Sequence, residues 1–310
     1  MQDIPPASSF PSTAKRGYLW KLSGRRVLQT GSWKRKYVAE PVQEIDLLPM
    51  PALDLVDITK YRPGGDRALT IYTSRGCMFS CKFCSMIMGK SFRVHSPERM
   101  VAEVKRAMDL GITHFNTGDD NIGIDMPRLM TILDAVAPLN CTFRLNMSVG
   151  YLTDDVGRAA RNAGCTDISF GIETYSQTML KKMKKPASVR RNIEAIRKTK
   201  QYDIRAKAYL MVNYPGETEE TVRESMEQLY EAHPDRWLLS AFVPLPGSES
   251  YHNPESLGIT WRSENWEDYY LVGNNGSFQP AFETAELTIE KQVELHDMLY
   301  HGCTAMLGTG

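Results

Sequence analysis

The sequence predicts an α/β protein: a partial, six-unit parallel β/α barrel of TIM-barrel type with an N-terminal extension and a C-terminal helical lid. Three observations predict it. Strand-like and helix-like segments alternate from Leu69 to Val243, and the helix-like ones carry apolar stripes at helical spacing. Each unusual cluster of polar, Gly and Pro residues follows a strand-like run, where a parallel barrel meets its ligands.

The first strand is read at 69–74, and the others at 112–117, 142–148, 167–172, 204–212 and 236–243. Between them run the stripes Met100, Val101, Val104, Ala107 and Met108, then Leu129, Ile132, Leu133 and Val136, then Val156, Ala159 and Ala160. Ile193 and Ile196, and then Val222, Met226 and Leu229, continue the pattern; all are read as core-facing. Ser96-Pro97-Glu98, Thr153-Asp154-Asp155 and Thr218-Glu219-Glu220 are helix starts, and Gly111 and Gly164 are stop signals.

The barrel is assigned to 67–250. Residues 1–66 lack the alternation and are read as an extension and linker. Within them the basic, aromatic stretch 15–37 is read as a solvated hairpin, with a nucleic-acid platform as the alternative. Residues 251–310 are expected to form a C-terminal cap that ends in a helix near 288–307, over the barrel mouth.

Lys plus Arg equals Asp plus Glu at 37 each in 310 residues, so the whole chain offers no net attraction for nucleic acid or an anionic membrane. No stretch approaches the ~20 apolar residues that a bilayer crossing requires. A soluble, cytoplasmic protein with neither membrane nor nucleic-acid partners is therefore expected. An oxidising compartment would also pair the clustered thiols described next. Cys141, Cys165 and Cys303 are scattered in apolar or helical contexts and are read as small buried hydrophobes.

Cys77, Cys81 and Cys84, three of the six cysteines, fall within eight residues, in the run Ser74-Arg75-Gly76-Cys77-Met78-Phe79-Ser80-Cys81-Lys82-Phe83-Cys84. A closed zinc site wants four protein ligands, whereas three thiolates leave one metal position open to chemistry. A zinc site with its fourth ligand elsewhere is the alternative.

This CxxxCxxC spacing after a strand resembles the signature of radical S-adenosylmethionine enzymes. The resemblance implies that Cys77, Cys81 and Cys84 hold three irons of a [4Fe-4S] cluster whose fourth iron takes S-adenosylmethionine, with Phe83 packed on the adenine. Gly118-Asp119-Asp120 stands where the family has its glycine-rich stretch for the methionine ammonium. Departure from the common Gly-Gly-Glu form leaves open which of Asp119 and Asp120 makes that contact. Glu173, in Ser169-Phe170-Gly171-Ile172-Glu173-Thr174, matches the position that binds the ribose hydroxyls. Lys185 is the candidate for the methionine carboxylate, with a solvated helix face as the alternative. Arg144 and Asn146 point to the same mouth if alternation holds, and could touch cofactor or substrate. Met78, Tyr151, Tyr209, Asn213, Tyr214 and His252 are candidates for a substrate pocket; no catalytic residue is singled out.

The runs Tyr209 to Thr218 and Val243 to Ser248, and the linker Leu47 to Ala52, are similar to segments of the subgroup whose other members carry an N-terminal cobalamin-binding domain. That subgroup includes methyltransferases and the anaerobic porphyrin cyclase. Such a domain does not fit into 1–40, so cobalamin is not expected within this chain. The resemblance implies reductive cleavage of S-adenosylmethionine to a 5′-deoxyadenosyl radical that abstracts hydrogen from a small-molecule or peptide substrate. It also implies a one-electron reductant such as flavodoxin or ferredoxin. The alternatives are a methyltransferase with cobalamin supplied separately, an RNA-modifying enzyme of the same chemistry, and a non-catalytic metal-binding adaptor.

Overall fold

The computed structural model describes residues 41–57, 60, 68–269 and 279–308; the basic, aromatic stretch 15–37 lies outside them. The chain divides into two compact units, Met1–Met50 and Pro51–Gly310. In the first, the described residues include a short 3₁₀ turn, Ile45–Leu47. Everything that follows concerns the second.

Six parallel strands carry that unit: β1 (Ala68–Ile71), β4 (His114–Thr117), β5 (Thr142–Met147), β6 (Cys165–Glu173), β7 (Arg205–Val212) and β8 (Arg236–Ala241). They pair in chain order and curl into a half-barrel. Every pairing is parallel, so each connection must cross back over one face of the sheet. The crossovers are α1 (Pro97–Asp109), α2 (Met126–Val136), α3 (Asp154–Asn162), α4 (Gln177–Lys182), α5 (Val189–Gln201) and α6 (Glu219–Ala232).

The outer face of the sheet is apolar because the helices cover it. On β6, Ile168, Phe170 and Ile172 are each fully buried, while the alternate positions Asp167, Ser169, Gly171 and Glu173 are left for the concave side. The anticipated caps form: Ser96 Oγ accepts from Arg99 N, Thr153 Oγ1 from Val156 N, and Thr218 completes a capping box with Thr221. Gly111 and Gly164 follow their helices with positive φ, as the stop signals require.

Two departures from the anticipated elements matter for function. The strand read at 69–74 leaves the sheet after Ile71, and Ser74–Arg75 (β2) instead pairs antiparallel with Arg93–Val94 (β3). The cause is Asp119, whose carboxylate accepts from Thr73 N at 3.3 Å, Thr73 Oγ1 at 2.8 Å and Ser74 Oγ at 2.5 Å. The C-terminal helix α8 (Ile289–Leu307) packs along α6 and against β7 and β8, so it contributes a wall of the barrel. Trp237, near the start of β8, donates through Nε1 to Gly308 O just beyond the end of α8 at 3.0 Å. The segment that touches the mouth is α7 (Glu249–His252), where Ser250 N and Oγ donate to Lys82 O at 3.1 and 2.8 Å. Between α7 and α8 lies a two-stranded antiparallel ribbon, Ile259–Arg262 (β9) with Phe282–Thr284 (β10). No helix among the described residues is long and apolar enough to cross a membrane.

Phe170→Ala should test the apolar wall. Removing a fully buried ring leaves a cavity, and a loss of about 3–5 kcal/mol is expected, read as a lowered urea midpoint with unchanged slope.

Candidate functional site

The cysteine loop is held in shape at several points along its length. At its start, Gly76 has φ +90°, and a Cβ there would fall 2.8 Å from Gly89 O and closer still to Ser91 O. Only glycine lets the chain turn back here. Gly76 N donates to Asp120 Oδ2 at 3.1 Å, and Cys77 N to Gly89 O at 3.2 Å. Further along, Lys82 N donates to Met183 O at 3.0 Å, tying the loop to the end of α4. Cys84 N closes a turn onto Cys81 O at 3.1 Å. Cys81 is buried, while Cys77 and Cys84 are half-buried.

Burial pushes the Cys81 thiol up to about 11; the Lys185 ammonium opposes the shift, while Glu173, Cys84 and Cys77 add to it. Cys77 is raised for the same first reason, and Cys84 again contributes repulsion. The three sulfurs therefore share one electrostatic neighbourhood that calls for bound positive charge. Among the described residues no three His, Cys, Asp or Glu side chains converge on one point fit for a single ion. A cluster does not require that, because each thiolate ligates its own iron.

Beside the thiols stands an ion pair. Lys185 Nζ lies 2.8 Å from Glu173 Oε1, and the two side chains are only 12% and 13% exposed. Burial alone would depress the Lys185 pKa, but the Glu173 carboxylate and then Cys81 reverse this and raise it. Glu173 ends β6 with φ +64°, which swings its carboxylate back over Gly171. A Cβ on Gly171 would stand 2.7 Å from Glu173 Oε1 and 2.8 Å from Lys185 Nζ, so glycine is what admits the pair. The Lys185 ammonium also lies 5.9 Å from the centre of the Phe83 ring.

Phe83, Cys81, Cys84, Glu173 and Lys185, chosen from distant parts of the sequence, thus meet. The two aspartates separate in role. Asp119 is 4% exposed and engaged by Thr73 and Ser74, while Asp120 is exposed and accepts from the loop backbone at Gly76. Gly118 lies against Tyr72, whose ring would be 2.6 Å from a Cβ there. Asn146 Nδ2 donates to Thr117 O at 2.6 Å, bracing the ends of β4 and β5.

The other anticipated positions fall at several places in the fold. Arg144 pairs with Asp167 at 3.5 Å, low on the concave face, away from the mouth. Asn213 and Tyr214 are fully buried. Tyr151 stacks on Phe79 of the cysteine loop, with centroids 6.3 Å apart, and Met78 is 58% exposed. Tyr209 pairs with Gly171 in the sheet and so sits on the concave wall, and His252 packs edge-on to Tyr251. Glu217 escaped the reading of the sequence. Its carboxylate accepts from Asn213 N in the loop after β7, and burial pushes it up to about 8. Its place in a turn-rich run Asn213-Tyr214-Pro215-Gly216-Glu217 was visible, but its burial was not.

Residues 71–229, just over half of the chain, match the Radical SAM superfamily. The chain belongs to that superfamily. It is 28% identical over 238 residues to an uncharacterized methyltransferase of Pyrococcus horikoshii, covering 74% of this chain and 51% of that protein. It is also 28% identical over 194 residues to the anaerobic magnesium-protoporphyrin IX monomethyl ester cyclase of Cereibacter sphaeroides, covering 60% of this chain and 32% of the cyclase. The chain thus spans about half or less of the length of these relatives. In fold it is similar to the radical S-adenosylmethionine methyltransferase TsrM from Kitasatospora setae, with TM-score 0.57 at 16% identity over 67% of this chain and 41% of that one. It is likewise similar to the cobalamin-dependent S-adenosylmethionine radical enzyme OxsB, with TM-score 0.55 at 21% identity over 74% of this chain and 35% of that one. The matched residues of this radical SAM protein take in the cysteine loop and strands β4 to β7, while β8 lies beyond them.

Two tests follow from the geometry. Asp119→Ala should release Thr73 and Ser74 and speed amide hydrogen exchange across 74–94 while leaving the β6 to β8 amides protected. For Glu217, the folded protein keeps a proton that the unfolded chain loses at its ordinary value of 4.5. Its contribution to stability is therefore full below that pH and is lost as the pH rises through about 8. Glu217→Gln should flatten the fall in thermal midpoint across that window.

Proposed function

We propose that this chain binds S-adenosylmethionine and a [4Fe-4S] cluster and uses them to start radical chemistry on an organic substrate. The observation that carries the reading is the Lys185–Glu173 pair above Gly171, beside Cys81 and Phe83. It puts one anion receptor and one hydroxyl receptor next to thiolates that can hold iron.

In this reading Cys77, Cys81 and Cys84 ligate the cluster, and Gly118 and Asp120 meet the methionine ammonium. Lys185 takes the methionine carboxylate, Glu173 the ribose hydroxyls and Phe83 the adenine, while Asn146 braces the rim beside them. Asp119 holds the loop and has no acceptor left for the ammonium. Before cofactor binds, Lys185 and Glu173 neutralise each other, so neither buried charge stands alone. On binding, each charge exchanges its partner for a cofactor group at little desolvation cost. When bound, cluster and cofactor together supply one-electron cleavage of a carbon–sulfur bond and hence a 5′-deoxyadenosyl radical. The residues around them orient that fragment and keep water away.

The reaction class favoured by the named relatives is methyl transfer, since a methyltransferase and OxsB, a cobalamin-dependent enzyme, are among them. Cobalamin would then come from a further segment or another chain. Ring formation of the cyclase kind is the second reading, favoured by the match to that relative. A small-molecule or peptide substrate and a one-electron donor such as flavodoxin or ferredoxin complete the proposal.

Anaerobic reconstitution with iron and sulfide should give a brown protein, and Cys81→Ala should stay colourless. With dithionite and S-adenosylmethionine the brown protein should release 5′-deoxyadenosine; no release above a cluster-free control would refute the reading. Glu173→Ala should retain the colour yet bind S-adenosylmethionine at least about tenfold more weakly, some 1.4 kcal/mol, by calorimetry. Addition of cobalamin separates the two reaction classes, because only a methyltransferase would pass label from methyl-labelled cofactor to product.

A further inference from the structure

The concave wall below the cofactor site is strongly basic. Asp167 on β6 is the hub: Arg205 Nε and Nη2 donate to its two oxygens at 3.1 and 2.8 Å, Arg144 Nε lies at 3.5 Å and Arg236 Nη1 at 3.7 Å. The Asp167 side chain is 3% exposed, whereas the three arginine side chains are 44% to 50% exposed. One carboxylate, already engaged in two directions by Arg205 and also by Thr166 Oγ1 at 2.7 Å, cannot neutralise three guanidinium groups.

Lys207 adds a fourth cation. It pairs in register with Ser169 on one side and Arg236 on the other, and no carboxylate among the described residues lies within ion-pair distance of it. Its ammonium meets the Tyr209 ring at 5.1 Å. Burial first, and then Arg236 and Arg144, hold its pKa below the usual lysine range. Asp235, which also acts on Arg205, is engaged by Ala206 N at 2.8 Å and Lys200 at 3.6 Å.

This patch and the cofactor site share one face. Asp167, Ser169 and Gly171 alternate along β6, and the Glu173 carboxylate folds back over Gly171. Between the charged regions β6 presents the small residues Ser169 and Gly171, with Tyr209 of β7 level with Gly171. Lys207 lies level with Ser169, four residues below Glu173, or roughly 13 Å along the strand at about 3.3 Å per residue.

We propose that Lys207, Arg144, Arg205 and Arg236 around Asp167 form an anion-binding subsite, which receives a carboxylate or phosphate of the substrate and so points its reacting carbon up toward the cofactor. The assignment to substrate rests on the radical reading above; the anion site itself does not. The substrate class is an organic acid or phosphate ester whose anionic group lies several bonds from the carbon that reacts. An anion there supplies the charge that Lys207 lacks and relieves the crowding of like charges.

The test is competitive amine acylation of the full-length protein, with Lys207 and the exposed Lys181 followed by peptide mass spectrometry in one sample. Inorganic phosphate, succinate and chloride are compared at equal ionic strength. Phosphate or succinate should slow Lys207 labelling several-fold, by a factor that grows with anion concentration, while Lys181 is unchanged. Protection by phosphate alone assigns a phosphate ester, and protection by succinate alone a carboxylic acid. Arg236→Gln and Arg205→Gln should each weaken the protection, with the thermal midpoint checked in parallel. Equal Lys207 labelling in all three salts overturns the subsite. Neither cluster nor cofactor is needed, so failure here leaves the radical reading standing, and a colourless reconstitution leaves the subsite standing.

Discussion

Parallel pairing is the constraint on which the rest of this structure depends. Because β1 and β4 to β8 all run one way, their carboxyl ends emerge along a single rim. The cysteine loop, Asp119 and Asp120, Asn146 and Glu173 come from four separate strands and become neighbours for that reason alone. Reversing any one strand would carry its loop to the opposite end. The direction of pairing is secured by buried side chains such as Ile168, Phe170 and Ile172 on the outer face, which require a helix over them and hence a crossover between strands.

Within that frame the concave face is organised by charge. Near the mouth one cation and one anion, Lys185 and Glu173, satisfy each other in a nearly closed space. Lower down, three arginines share Asp167 and stand partly open to solvent. The first arrangement suits a zwitterionic ligand, whose groups can replace each partner. The second suits an anion brought from outside. Ser169 and Gly171 stand between the two regions.

Much of this was legible from residues in order. The alternation of strand and helix, the helix caps and the cysteine run are local patterns, and local patterns survive in one dimension. Strand ends were less legible: Thr73 and Ser74 continue a strand-like run, yet Asp119, far along the chain, draws them out of the sheet. The helix near 288–307 was readable as a helix but silent on its partner, and α6, β7 and β8 claimed it as a wall. Arg144 alternates correctly with Asn146, but the register with Asp167 decides what it meets.

Spacing by itself determined that three cysteines share one loop and that the chain folds as repeating βα units, because cysteines a few residues apart and apolar stripes at helical period need no distant partner to be read. Only the tertiary structure decided that Asp119 is a brace, that Lys185 faces Glu173 over a glycine, and that Lys207 stands among arginines with no carboxylate of the described residues in ion-pair reach. Those outcomes depend on distances between side chains far apart in the chain, and such distances are set by sheet register and by which side chains the packing encloses.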